Sequence, residues 1–268
     1  MNIETVTMMQ FDIGDINDFS AREKFLLHLA DNGLIMNHRL CEWCAHAPQL
    51  ELEMGLANIG LDHLGQARLW LNLLNDALAA RGIDADEDAL AYFRDDTQYF
   101  NLLLVEMPND DFAMTAGKLF LYDAFHRLAL NQLSEVDEPS IAAVAEKASV
   151  EVDYHLRFST HWMRVMVDGS EESARRMRNA LDELWPLCGE FFSAADFEQT
   201  ARLQIDFARL KDAWLASVLP ELQPLGLALD EALPFHHPSG KHNRHTEHLG
   251  YLLAEMQVLA RRHPGATW

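Results

Sequence analysis

The chain has 268 residues, 49% of them hydrophobic, so it is long enough to bury a full core in a single domain. Lys and Arg total 21 against 42 Asp and Glu, which gives a net charge of −21. That charge repels the phosphates of nucleic acids and of anionic lipids alike, so neither a nucleic acid nor a membrane surface is an expected partner.

The first predicted elements form a helical hairpin. Ser20 and Glu23 have the spacing of a capping box, in which each side chain satisfies a backbone N–H at a helix start. The apolar residues that follow recur at helical spacing and indicate the first helix. Pro48 ends this run and opens a second amphipathic helix that stops near Gly82.

Two further long helices are predicted in the middle of the chain. Asp110 or Asp111 is placed to cap the third helix, which runs to about Ser134. Pro139 starts the fourth, and Gly169 ends it. Two hairpins of long helices predict a four-helix bundle, because each amphipathic helix must bury its apolar stripe against another.

The rest of the chain predicts additional helices outside the bundle. Residues 171–192 and 196–219 are amphipathic, and residues 246–262 form a last helical run. Between them, residues 220–244 contain four prolines and are expected to be an extended loop. The sequence has no strand-type alternation of useful length, so the predicted fold class is all-α.

A four-helix bundle raises the possibility of a dinuclear iron or manganese centre. Such a centre takes one Glu from each of two helices and a Glu-x-x-His pair from each of the other two. None of the 13 histidines has Glu three residues before it, and only His126 has an acid there, Asp123. The required motif is therefore absent.

A partial set of polar residues remains on the predicted bundle helices. Gly65 stands three residues after Asp62, where a histidine ligand is needed, and Tyr154 takes that place after Glu151. The set is therefore interpreted as a hydrogen-bonded polar remnant rather than a metal site, with donors from Tyr154, Arg68 and the histidines. Its members are Asp62, Asp123, His126, Glu151, Tyr154 and His155. No catalytic residue is predicted.

The alternative is a self-sufficient metal oxidase, which would use the same residues except the tyrosine. Those ligands are Asp62, Asp123, His126, Glu151 and His155. This alternative requires metal on the isolated chain at near-stoichiometric occupancy.

Two other groups of possible ligands are interpreted structurally. Five histidines near the C-terminus suit either a transition metal or an acidic partner surface, and the second reading is favoured because no cysteine accompanies them. They are His236, His237, His242, His245 and His248. The three cysteines Cys41, Cys44 and Cys188 lack the second pair of a zinc site, so a place in the helical core is expected.

The chain is expected to be cytoplasmic. The N-terminus lacks the basic-then-apolar pattern of a signal peptide. No apolar run approaches the roughly 20 residues that span a bilayer.

Several segments in order resemble the C subunit of bacterial phenylacetyl-CoA epoxidase. The resemblance runs from about Ala30 to the last residue and is carried by these blocks: Glu42-Trp43-Cys44, His46-Ala47-Pro48, residues 56–62, residues 64–68, residues 101–106, residues 154–159, residues 245–250, residues 253–257, Pro264-Gly265 and Trp268.

The resemblance implies a ferritin-like four-helix bundle with additional C-terminal helices. Residues 1–20 would be an N-terminal extension, and residues 21–268 a single domain. It also implies a non-catalytic structural subunit of a multicomponent epoxidase in aerobic phenylacetate degradation. Its partner would be the catalytic alpha subunit, in a heterodimer or higher heteromer, and that subunit would hold the diiron centre. No cofactor is expected in this chain, and self-association of the isolated chain is possible.

A third hypothesis is a free-standing binding protein for an acyl-CoA or an aromatic ligand. It predicts saturable binding without a partner chain. The sequence has no evident basic cluster for the CoA phosphates, so this hypothesis ranks last.

Overall fold

The structure is a computed structural model that describes the chain except residues 1–12, 14, 84, 202, 204, 238, 265, 267 and 268. The described residues contain α-helices and 3-10 helices and no strand, which confirms the all-α fold class. Most of the predicted N-terminal extension lies outside the described residues, as do Gly265 and Trp268 of the resemblance.

The α-helices of the described part of the chain are numbered in chain order. They are α1 Ala21–Cys41, α2 Leu50–Ala79, α3 Glu87–Tyr92, α4 Leu103–Glu106, α5 Phe112–Leu133, α6 Pro139–Gly169, α7 Glu171–Leu184, α8 Gly189–Phe192, α9 Asp196–Thr200, α10 Phe207–Leu222, α11 Glu247–Met256 and α12 Val258–Arg262.

Four long helices form the bundle. Helix α1 packs along α2, helix α5 packs along α6, and the two hairpins meet where α2 faces α6. The predicted capping box is confirmed: the backbone N–H of Ser20 donates to Glu23, and that of Glu23 donates to the Ser20 hydroxyl. Asp111 caps α5 by accepting from two backbone N–H groups, and Pro139 is the first residue of α6.

Helices outside the bundle are shorter than predicted. The run 196–219 is divided into α9 and α10, and the last run is divided at Gln257 into α11 and α12. The Gln257 side chain donates to the Arg94 carbonyl and the Tyr99 hydroxyl, so a tertiary contact fixes this break. Pro220 lies inside the last turn of α10 instead of opening a loop.

The cysteine prediction is wrong for two of the three residues. Cys188 is buried, as expected of a core residue, whereas Cys41 and Cys44 are exposed. Cys41 is the last residue of α1 and Cys44 lies in the turn that follows, so neither belongs to the packed face of a helix.

Apolar side chains fill two clusters along the bundle, and polar residues lie between them. Helix α2 contributes Leu56 and Ile59 to one cluster and Trp70 and Leu74 to the other, with His63 between them. In the described part of the chain, no helix is both long and apolar enough to cross a bilayer.

Candidate functional site

Four polar side chains from three helices meet in the interior of the bundle, and we call them the interior cluster: His63 of α2, Asp123 and His126 of α5, and His155 of α6. His63, Asp123 and His155 have no exposed surface. His63 Nε2 lies 3.8 Å from Asp123 Oδ1, and the His63 and His155 rings are 4.9 Å apart. The His126 ring is stacked on His63 at 6.1 Å.

Most polar atoms of the interior cluster lack a hydrogen-bond partner among the described residues. These atoms are both ring nitrogens of His63, both carboxyl oxygens of Asp123, and Nδ1 of His126 and of His155. Each buried, unpaired polar group costs about 1–3 kcal/mol, so several together call for a compensating interaction.

Burial disfavours charge on the side chains of the interior cluster. It raises the pKa of Asp123 well above its usual value, and it lowers the pKa of His126 to about 3. The pKa of His63 is lowered well below its usual value, first by burial and then by the neighbouring imidazoles. Burial therefore favours the neutral form of each of these side chains.

One member of the cluster is connected to the surface. His155 Nε2 lies 3.1 Å from Oδ2 of Asp62, whose side chain is 37% exposed. Burial lowers the pKa of His155, and the Asp62 carboxylate opposes that shift. The neutral ring therefore donates its Nε2 proton to Asp62, which leaves the Nδ1 lone pair free inside the bundle.

The predicted polar remnant is only partly assembled. The structure brings together Asp123, His126 and His155, with Asp62 attached through His155. Glu151 lies outside the interior cluster and accepts a 2.9 Å hydrogen bond from the Gln66 side chain.

The predicted donors Tyr154 and Arg68 do not serve this remnant. The Tyr154 side chain is exposed on α6, and Arg68 pairs with Glu87 outside the bundle. Both point away because their helical positions face solvent, so neither supplies a hydrogen bond to the remnant.

His63 is the central residue that sequence reasoning missed. The Glu-x-x-His motif has an acid three residues before the histidine, and in this chain Gly60 stands at that position before His63. The burial of His63 could have been predicted from helical spacing, because Ile59, His63 and Trp70 follow the i, i+4, i+11 spacing of one buried helical face.

The interior cluster does not fit a dinuclear carboxylate centre. That centre takes four carboxylates and two histidines from four helices. Here Asp123 is the only carboxylate of the cluster, and α1 adds none, since Asp31 is held in a buried ion pair with Arg94. The alternative oxidase set is not brought together either, because two of its carboxylates, Asp62 and Glu151, lie outside the interior cluster.

The histidine-rich segment does not form a metal site among the described residues. His236, His237 and His242 are exposed, whereas His245 is held by Glu106 and by the Tyr99 carbonyl. The one group with metal-ligand spacing in the described part of the chain is His63, Asp123 and His155, whose donor atoms lie within 4.8 Å of one another.

Comparison with known proteins adds an independent finding. The sequence model of a family described as "Phenylacetic acid catabolic protein" matches residues 16–268. The chain is also 41% identical over 247 residues to the C subunit of 1,2-phenylacetyl-CoA epoxidase from Escherichia coli (strain K12). The match covers 91% of this chain and 98% of that relative.

Proposed function

Because this chain belongs to the phenylacetic acid catabolic protein family, we propose that it is a non-catalytic subunit of a multicomponent 1,2-phenylacetyl-CoA epoxidase. In this role it binds and stabilises a second subunit, which holds the diiron centre that reacts with oxygen. The proposal places the protein in aerobic phenylacetate degradation in the cytoplasm.

The donor set of the interior cluster is the observation that carries the non-catalytic role. Two iron(II) ions bring four positive charges, and a carboxylate-rich site neutralises them. The interior cluster supplies one negative charge at most, from Asp123. The interior cluster therefore falls short of the four carboxylates of such a centre, and the oxygen chemistry is assigned to the partner.

An exposed apolar surface supports the association. Helices α2 and α6 pack together at three places: Gly55 with Phe158, Asp62 with His155, and Gln66 with Glu151. Successive helical residues point about 100° apart, so the exposed neighbours of these contacts lie beside the groove between the two helices. We call these residues the α2–α6 face: Met54, Leu61, Val150 and Tyr154.

The apolar α2–α6 face is better suited to contact with a permanent partner than to exposure to water. Leu61 is 63% exposed and Val150 73% exposed. Contact with a second helical bundle would remove these apolar side chains from water. Stable interfaces have an apolar centre within a polar rim, and the strongly acidic remainder of this chain provides such a rim. A partner that binds only the folded chain also raises the stability of both subunits.

The test is metal and mass analysis of the purified chain, alone and co-expressed with the catalytic subunit. We expect a stable heteromer in which iron follows the catalytic subunit, and no iron pair on this chain alone. Two iron or manganese ions per isolated chain, with turnover in the absence of a partner, would contradict the proposal.

A further inference from the structure

The proposed function leaves the unpaired donors of the interior cluster without a role. We propose that His63, Asp123 and His155 bind one zinc(II) ion, which joins α2, α5 and α6 as a structural site. This inference goes beyond the proposed function and concerns a single, redox-inactive ion in place of a dinuclear centre.

The donor types and their spacing suit zinc. Zinc(II) accepts imidazole nitrogen at about 2.0–2.1 Å and carboxylate oxygen at about 2.0–2.2 Å, so two ligands of one ion lie at most about 4.2 Å apart. The donors of the three side chains already lie within 4.8 Å of one another. A contraction of about 1 Å, within the reach of side-chain rotation, completes the contact.

The state of each donor points to a ligand. Asp123 has two unpaired oxygens, and His63 has two unpaired nitrogens, all of them buried. A buried carboxyl next to imidazoles normally finds a proton donor, and here the nearest His63 nitrogen is 3.8 Å away. A cation between these groups would satisfy their lone pairs at once, which no single proton does.

His155 has the arrangement that is typical of metal-binding histidines. Such a histidine donates its second ring N–H to a carboxylate, which fixes the tautomer and makes the ligating nitrogen more basic. His155 is bonded to Asp62 through Nε2, and its Nδ1 is buried and unpaired. The two carboxylates, Asp123 and Asp62, also balance the charge of one divalent ion.

Zinc is favoured over iron(II), which accepts the same two-histidine, one-carboxylate set. None of the three side chains is exposed, so a substrate has no direct access to a bound ion. Sites of nitrogen and oxygen ligands also bind zinc more tightly than iron(II). His126, with an unpaired Nδ1 and its ring stacked on His63, is the nearest candidate for a fourth ligand.

The experiment is a zinc titration of the full chain after removal of metal with a chelator. Bound metal is counted by mass spectrometry, and thermal unfolding is followed with and without zinc. We expect one zinc per chain and a rise in Tm of at least about 5 °C when free zinc is about 100 times Kd.

Three variants locate the ion. Asp123→Asn preserves the shape of the neutral side chain but removes the charged ligand, so we expect zinc binding to be lost. Asp62→Asn should weaken zinc affinity by about 10–100-fold, as expected when the carboxylate partner of a ligating histidine is removed. His161→Gln changes an exposed histidine on α6, the helix of His155, and this variant should bind zinc like the unaltered chain.

Several results would overturn the inference. These are zinc binding by Asp123→Asn equal to that of the unaltered chain, no zinc on the unaltered chain, and preferential uptake of iron(II) when both ions are offered. If Asp123→Asn does not fold, Asp62→Asn decides, since Asp62 is partly exposed. Absence of zinc leaves the proposed subunit role intact, whereas two iron ions per chain would contradict that role instead.

Discussion

At the scale of single residues, His245 shows how a buried charge is held in place. Its Nδ1 lies 2.8 Å from Glu106 Oε2, and its Nε2 lies 2.9 Å from the Tyr99 carbonyl oxygen. Both partners are acceptors, so both ring nitrogens must carry protons. Burial opposes this state, but the Glu106 carboxylate and the carbonyl outweigh it, and the pKa of His245 is raised.

This histidine should make stability depend on pH. A raised folded-state pKa means that the contribution of His245 is complete below its unfolded pKa of about 6.5 and is lost as pH rises through the folded value. We expect the free energy of unfolding, measured by urea titration from pH 5.5 to 9, to fall at the alkaline end.

A substitution isolates the effect of His245. His245→Ala should cost about 3–5 kcal/mol at pH 6, because it leaves Glu106 buried without its cation. The variant should also lose the alkaline decline. A decline of equal size in His245→Ala would mean that another group is responsible.

At the scale of helices, glycine sets how closely α1 and α2 approach. A Cβ on Gly33 of α1 would lie 2.7 Å from the backbone carbonyl oxygen of His63 on α2. Backbone cannot move aside as a flexible side chain can, so the two helices would have to separate. A Cβ on Gly65 of α2 would have no neighbour within 4 Å, and this residue faces solvent.

The two glycines should therefore respond in opposite ways to alanine. Gly33→Ala should destabilise the chain by about 1–3 kcal/mol through overpacking. Gly65→Ala should stabilise it by about 0.5–1 kcal/mol, because alanine loses less conformational entropy in a helix. Chemical denaturation of both variants measures the difference, and equal effects would show that the close contact is unimportant.

At the scale of the whole molecule, the α2–α6 face is the exposed apolar surface that we propose for assembly. Other exposed apolar residues lie on the C-terminal helices, among them Tyr251 on α11 and Leu259 on α12. These two provide a comparison, because they belong to different helices from the α2–α6 face.

Charge on the α2–α6 face should weaken association with the catalytic subunit. Leu61→Asp places a carboxylate in the centre of the proposed interface, and we expect at least a tenfold rise in Kd, equivalent to about 1.4 kcal/mol. Leu259→Asp is the matched control and should bind normally. Both variants should keep their helical circular dichroism, and binding is measured by titration of the purified subunits. Normal binding by Leu61→Asp would place the interface elsewhere.

The sequence by itself determined the helical fold and the limits of its long helices. The capping box at Ser20, the cap at Asp111 and the start of α6 at Pro139 were predictable, because each depends on groups within one turn of the chain. The ordered blocks of similarity also identified the family before the comparison with known proteins confirmed it.

Only the tertiary structure decided which polar residues meet. Asp62 and His63 are adjacent in sequence, yet the first reaches the surface and the second enters the interior cluster, since neighbouring helical residues point about 100° apart. The rotation of each helix about its axis depends on packing against the others. His63 and Asp123 therefore come together through contacts between helices, which no local motif specifies.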